Sequence, residues 1–500
     1  MLSGGLHSCG VVAWKSKSNV AWRGVIGRRR LQSLVAARQK RGTKVVSGIF
    51  VAGGLTSLGA GLARLSPPSY AALSLAASIA IFCWLAFLVR RKRNVVLAPS
   101  FISIALLTVG TTLVPLSWAA GLSDPWPELE HRLLGSVGWG IAFILLFGVG
   151  VALAGGFPPS QRSERLVIPA RRLNKVLACT AVTGLLGIFL FFRSVGGPID
   201  ALDSLSTRSQ SFAGTGPIIV IAFVPAGAIV YYVTSAPAVR TRGTRLLMLL
   251  NAAAFTGAAF FLGQKSHVAL LLLMALVTGN RYRPVSAKVV VVLVLAAIPL
   301  STLYHYKIRQ EISTGAAEGT VATSSPLEFV RSTWDPFARS GLDYLRTLNA
   351  SIVRAKAFEN RVEVLVAAPF TAVPRSVWPT KPEAAAVRFS QEVFPQHWKR
   401  GTGVPPSLAG EFVWEFGVGG GMVAFLLAGV IAGRADRRFA AAASLAGRLG
   451  HAAFAAGLFI ALKAGSDSAF RAFLLFGTSF LLVWLFDRLL QGGRSPRWSS

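Results

Sequence analysis

Charge is scarce in this sequence, and acid is scarcer still. Only 14% of the 500 residues are charged, where a soluble domain carries about 25%. Asp and Glu number 20 against 52 Lys and Arg, while 53% of the chain is hydrophobic. A water-soluble fold of this length has no means of hiding so much apolar sequence. Cysteine is nearly absent, at 3. Cys9 lies in the N-terminal tail, and Cys83 and Cys179 lie inside apolar stretches, so no disulfide framework and no zinc-like Cys/His spacing is expected. Strict period-2 alternation is rare, which argues against a β-barrel. A Walker motif, a GxGxxG after a strand, an HExxH and a GxSxG elbow are all missing, so ATP-driven chemistry is not indicated. No internal repeat is evident, whereas transporters usually carry one.

What is there is a series of apolar blocks of roughly 17–25 residues, the length that crosses a bilayer core about 30 Å thick. The mean hydropathy is +0.55. Spans are expected near 45–64, 70–89, 95–118, 133–155, 175–192, 217–235, 246–263, 266–279, 289–304, 411–433, 449–464 and 468–487. The pair at 246–279 reads equally as one long helix kinked at Gly263-Gln264-Lys265-Ser266. The net charge of +32 would point to nucleic acid in a soluble protein. Here the basic residues fall in alternate gaps between the blocks, which is the positive-inside pattern, and no nucleic-acid partner is expected. Arg90-Arg91-Lys92-Arg93, the 162–175 gap, Arg240 to Arg245, Arg281 to Lys288, Arg434 to Arg448 and the C-terminal Arg488, Arg494 and Arg497 mark one side. Gaps on the other side are short or acidic, as in Asp124-Pro125-Trp126-Pro127-Glu128.

The expected fold is therefore an all-α polytopic membrane protein of about twelve transmembrane helices, both ends inside, with one large outward loop between spans nine and ten. Residues 1–44 form a basic cytosolic tail, disordered or drawn to anionic membrane lipids. Residues 45–304 hold helices one to nine, 305–410 the outward loop, 411–487 helices ten to twelve, and 488–500 a cytosolic tail. The loop is too long for a connector. Within it Leu342, Leu345, Leu348 and Ile352 recur at helical spacing, capped by Asp335 or Ser340. With Arg339, Arg346 and Arg354 interleaved, this helix would lie on the membrane surface or fold back onto the bundle.

Two stretches carry chemistry. In Val373-Pro374-Arg375-Ser376-Val377-Trp378-Pro379-Thr380-Lys381-Pro382 three prolines stiffen the backbone, so that two cations and an indole are presented at low entropic cost. Arginine forks onto phosphate oxygens, lysine adds a point charge, and the aromatic face suits a sugar ring. A proline-rich surface turn with incidental charge explains the composition equally well. The second stretch, Gly401-Thr402-Gly403-Val404-Pro405-Pro406-Ser407-Leu408-Ala409-Gly410-Glu411, runs into Trp414-Glu415-Phe416-Gly417-Val418-Gly419-Gly420-Gly421. Glu411 and Glu415 stand one helical turn apart at the outer end of span ten, where ionisable groups are costly and so functional or paired. The glycines alone read as helix packing.

The order PR-x-x-WP-x-KP, then G-x-P-P-S-x-x-GE, then an aromatic FG-x-x-G helix, resembles the bacterial O-antigen polymerases of the Wzy type, the oligosaccharide repeat-unit polymerases. Phe337-Ala338-Arg339 with Asp343 resembles the family's entry to its large loop, and Arg193 to Gly216, with Arg208, its smaller one. Gly263-Gln264-Lys265-Ser266 departs from a Gly-Ser-Arg-type turn, and Lys463-Ala464-Gly465-Ser466-Asp467, with Arg471 a turn later, from an Arg-Gly-Asp-like run. The resemblance implies a multi-pass protein of the bacterial inner membrane that polymerises undecaprenyl-diphosphate-linked oligosaccharides on its outer face, without cofactor or metal and with a chain-length regulator as an expected partner. It implies that Arg375, Lys381, Arg208, Lys265 and Arg471 meet the diphosphate, with Trp378, Arg339 and Ser407 also contacting substrate. Glu411 is the first candidate base for the acceptor hydroxyl, and His397 the second. The competing readings are an O-antigen ligase, with the same donor, and a polysaccharide flippase, which the apolar span centres disfavour.

Overall fold

The computed structural model describes residues 98–119, 133–156, 165–203, 216–262, 265–282, 343–354, 362–370, 373, 378–399, 404–440, 442 and 444–491. The expected spans at 45–64, 70–89 and 289–304 lie outside the described residues. Helices in chain order are α1 (Pro99–Ala119), α2 (Leu133–Leu153), α3 (Ala170–Val195), α4 (Pro198–Asp203), α5 (Gly216–Ala222), α6 (Val224–Thr234), α7 (Arg242–Phe261), α8 (Lys265–Asn280), α9 (Asp343–Arg354), α10 (Val362–Ala367), α11 (Ala385–Val393), α12 (Pro395–Lys399), α13 (Leu408–Ala440) and α14 (Leu445–Leu489). Among the described residues no strand forms, and Leu166 pairs singly with Ser235. Among the described residues, five helical stretches are long and apolar enough to cross a membrane: Ala170–Val195, Gly216–Thr234, Arg242–Phe261, Leu408–Phe439 and Leu445–Leu489. These are the features of a multi-pass membrane protein. The exposed rows Val182, Leu185, Leu186 and Phe189 on α3, and Leu246, Leu249 and Leu250 on α7, are the faces a bilayer would cover.

Small residues set the closest contacts. A β-carbon added to Gly429 would lie 2.2 Å from the Phe147 carbonyl oxygen, and one on Gly150 2.2 Å from that of Leu426. Gly433 meets Val151 in the same way, so α2 and α13 run parallel with their backbones touching through Gly429-Val430-Ile431-Ala432-Gly433. Phe425 fills the next level, its ring 5.4 Å from Phe143 and 5.5 Å from Phe147. Elsewhere Ser479 of α14 bonds both ways across to α6, accepting from the Gly227 N–H and donating to the Val224 carbonyl, each at 2.9 Å.

The basic gaps converge. Arg165 reaches the Ser235 carbonyl and lies over the Tyr282 ring. Arg448 donates to the Tyr282 hydroxyl at 2.8 Å, Arg281 to the Ala442 carbonyl, and Arg240 to the last carbonyls of α6. The start of α7 and the end of α8 thus share one end of the bundle, and the chain doubles back between them. Two antiparallel helices, not one kinked helix, occupy 246–279.

α14 also doubles back. Along a straight helix Gly457 and Ala469 would stand about 18 Å apart. Instead a β-carbon on Gly457 would lie 3.9 Å from the Ala469 carbonyl oxygen and from Phe473 Cβ. The turn is at Ala464 (φ −138°, ψ 19°) and Gly465 (φ 79°, ψ −178°). α13 folds similarly at Gly417 (φ 70°, ψ 176°): a β-carbon on Gly421 would lie 2.9 Å from the Val413 nitrogen, where a straight helix would separate them by about 12 Å. The leading arm of α13, 408–416, therefore runs back beside its long arm as a re-entrant segment.

The helix expected at 342–352 is α9. Of the two placements open to it, the structure takes the one folded into the bundle: Tyr344 to Asn349 are all buried, Arg346 included, and Leu345 fills the space beside Gly140 of α2.

Candidate functional site: a buried carboxyl pair at two helix breaks

The Pro-Pro-Ser-Leu-Ala-Gly-Glu run resolves into three local jobs. Ser407 caps α13, its hydroxyl accepting from the Gly410 N–H at 3.2 Å while its carbonyl accepts from the Glu411 N–H at 2.7 Å, as serine does at a helix start. The same hydroxyl meets Thr347 Oγ1 at 2.9 Å, and Thr347 Oγ1 accepts from the Ser407 N–H at 3.1 Å. Gly410 lets α9 come close, since a β-carbon there would lie 3.1 Å from the Thr347 carbonyl carbon. Beside these, the Tyr344 hydroxyl is buried without a partner among the described residues, and burial pushes its phenol well above the usual range.

Glu411 then reaches the break in α14. Its Oε2 accepts from the Ser466 N–H at 2.6 Å and its Oε1 from the Ser466 hydroxyl at 2.5 Å. Ser466 opens the second arm of α14, so the carboxylate sits at a helix N-terminus, where negative charge is favoured. Gly465 must be glycine: its φ is positive, and a β-carbon would lie 2.6 Å from Glu411 Oε2 and 3.0 Å from the Pro406 carbonyl. The helix from His451 to Ala464 rises about 20 Å, so this meeting point is far from the basic end, where His451 Nε2 lies 3.8 Å from Asp436.

Two further acids adjoin. Asp467, 1% exposed, accepts from the N–H of Ser468 at 2.7 Å and from that of Ala386, and pairs with the exposed Arg471 at 3.4 Å. Glu415 is fully buried, and among the described residues neither of its oxygens has a hydrogen-bond partner. Among the described residues no cluster of His, Cys, Asp and Glu is arranged to hold a metal.

The loop residues pack onto this place. Phe389 of α11 packs edge-on against both Phe394 and Trp414, whose indole N–H donates to Glu392 at 3.3 Å. Arg346 lies over the Phe394 ring at 4.6 Å. Trp378 stacks edge-on against Phe370, and its carbonyl accepts from the Lys381 N–H at 3.2 Å. The Lys381 ammonium donates to the Val373 carbonyl at 3.0 Å. Five residues of chain, under about 18 Å, connect Lys381 to Ala386, which is bonded to Asp467.

Of the residues singled out in the sequence, Ser407, Glu411 and, through Ser466 and Asp467, Arg471 come together at the α14 break. Trp378 and Lys381 share one turn on the chain leading into it. Arg375, Arg208 and Arg339 lie outside the described residues, as do the side chains of Lys265, which starts α8, and His397, which is in α12. Thr347 and Glu392 had no sequence signal. Both act through partners more than twenty residues away. No protein-family model, no curated protein and no solved structure matches the chain.

Proposed function

We propose that the chain is a membrane glycosyltransferase that polymerises polyprenyl-diphosphate-linked oligosaccharide repeat units on the outer face of a bacterial inner membrane. The observation that carries this reading is the burial of Glu411 at the α14 break, under a loop whose Trp378 and Lys381 lead directly into it. The proposed reaction moves a growing glycan from its lipid diphosphate onto a hydroxyl of the next lipid-linked unit. Two demands follow. Charge develops on the departing diphosphate, and preorganised cations in a water-poor site stabilise it. Arg375 is the leading candidate, with Lys381, Arg208, Arg339, Lys265 and Arg471 as companions. The acceptor hydroxyl also loses a proton, which a carboxylate of the Glu411–Glu415 pair, or His397, receives. The donor already carries an activated anomeric carbon, so the absence of nucleotide-binding motifs is consistent with the scheme.

The test is the surface polysaccharide of a deletion strain, resolved on a gel. A polymerase mutant keeps a single capped unit and loses the ladder. Loss of every form from the lipid A core would instead indicate a ligase, and accumulation on the inner face a flippase.

A further inference from the structure

Glu411 and Glu415 are equally buried, yet they stand differently. Both oxygens of Glu411 are taken by Ser466. Among the described residues, neither oxygen of Glu415 has a partner. A buried carboxyl without a donor is costly, and it persists where something arrives to meet it. Glu415 lies two residues before Gly417, where α13 turns back, and β-carbons placed on Gly417 or Gly419 would meet nothing within 4 Å. The turn beside Glu415 therefore borders open space, whereas Glu411 lies behind Gly465 and Pro406. Glu411 is the charge that acts on Glu415, Asp467 acts on Glu411, and Arg471 faces Asp467.

We propose that Glu415, rather than Glu411, is the carboxyl that takes the proton of the acceptor hydroxyl, and that Glu411 is a positioning residue that fastens the re-entrant arm of α13 to the break in α14. The assignment rests on the polymerase reading above. In the step, the acceptor oxygen bonds to the anomeric carbon, and the carbon–oxygen bond to the diphosphate breaks, its electron pair leaving with the diphosphate. The acceptor O–H bond breaks and its proton passes to a Glu415 oxygen. Glu411 could accept that proton only by reversing its bond with the Ser466 hydroxyl, the contact that fastens the two arms at the site.

The experiment measures transfer in membranes holding the full chain, with a polyprenyl-diphosphate-linked repeat unit as substrate. E415Q is expected to lose about 10²–10⁴-fold in kcat with KM little changed. E411Q, whose amide still accepts from the Ser466 N–H while the Ser466 hydroxyl rotates to accept, is expected to keep at least about a tenth of the rate, and E411A far less. Wild-type turnover in E415Q, or a loss in E411Q as deep as in E415Q at unchanged melting temperature, overturns the assignment. If E415Q does not fold, E415D retains a carboxyl and is expected to keep measurable transfer. Its complete loss in folded protein also overturns the assignment. Should wild-type chain transfer nothing, the polymerase reading fails on its own. Infrared spectra of the solubilised chain in D2O, recorded across a pH titration, then judge Glu415: a carboxyl band that grows in as the pH falls and is missing from E415Q supports a proton-accepting site, and identical titrations reject it.

Discussion

Tyr231 and Asp487 meet across 256 residues, the phenol donating to the carboxylate at 2.5 Å. The same carboxylate takes the Arg172 guanidinium at 2.8 Å, so three helices are tied at the basic end of the bundle. Truncating one partner of such a group strands the others in a poorly solvated place. Asp487→Ala is expected to destabilise the protein by about 3–5 kcal/mol, and Asp487→Asn by less, because the amide still accepts from Tyr231. Melting of the solubilised variants measures this. Equal stability in both variants and wild type would leave the tie without energetic weight.

Ser407 and Thr347 form one hydrogen-bonded unit. Ser407→Ala removes the cap of α13, worth about 1 kcal/mol, and leaves Thr347 short of a partner. Thr347→Val alone is expected to cost a similar amount. The double variant should then cost clearly less than the sum, as coupled neighbours do. Additive losses would show that the two hydroxyls act separately.

Gly465→Ala forces a β-carbon against Glu411 and the Pro406 carbonyl at a left-handed backbone position. Backbone strain alone costs about 1–3 kcal/mol, and the displaced Glu411 should cut transfer with it. Gly257 is the control, since a β-carbon there meets nothing within 4 Å. Gly257→Ala should be neutral or slightly stabilising, as helical alanine is favoured by roughly 0.5–1 kcal/mol.

Arg375→Ala is expected to abolish chain extension, a loss of about 10²–10³ in rate, and Arg375→Lys to recover only part, because an ammonium cannot fork onto phosphate oxygens. The polysaccharide ladder at equal expression reports the result. A normal ladder in the alanine variant would remove Arg375 from the mechanism.

Cysteines introduced at Ser325 and Ser495 are expected to be labelled by an impermeant thiol reagent from opposite faces of the membrane. Labelling from the same face would refute the proposed topology.

Helix positions were legible because apolar length and alternating charge are local signals. Residues 246–279 show how charge settles what hydropathy leaves open: Arg240 and Arg281 lie at one end of the bundle, so the chain between them must turn. Tertiary partners were less legible. The interleaved arginines leave α9 two placements, on the membrane surface or against the bundle, and no local signal chooses between them; the structure buries Arg346 over the Phe394 ring. Glu411 announced itself by position, but Ser466, its partner, is 55 residues on and no local pattern joins them. The glycine run at 417–421 reads as helix packing, whereas the close approach to α2 is made by Gly429 and Gly433. Gly417 and Gly465 serve instead as reversals of direction, and composition cannot distinguish the two uses.

Beyond the Phe425 level, the contact between α2 and the long arm of α13 is backbone against backbone. Gly150, Gly429 and Gly433 put carbonyl groups against α-carbons, and such a seam has no rotamers with which to yield. The two helices therefore move as a single stiff beam. A rearrangement that admits a bulky molecule near Glu415 must be borne away from this seam, by α11 and the hinge in α14. Cross-linking α2 to α13 along the seam should accordingly be harmless, whereas a tether from α11 to α14 should stop turnover.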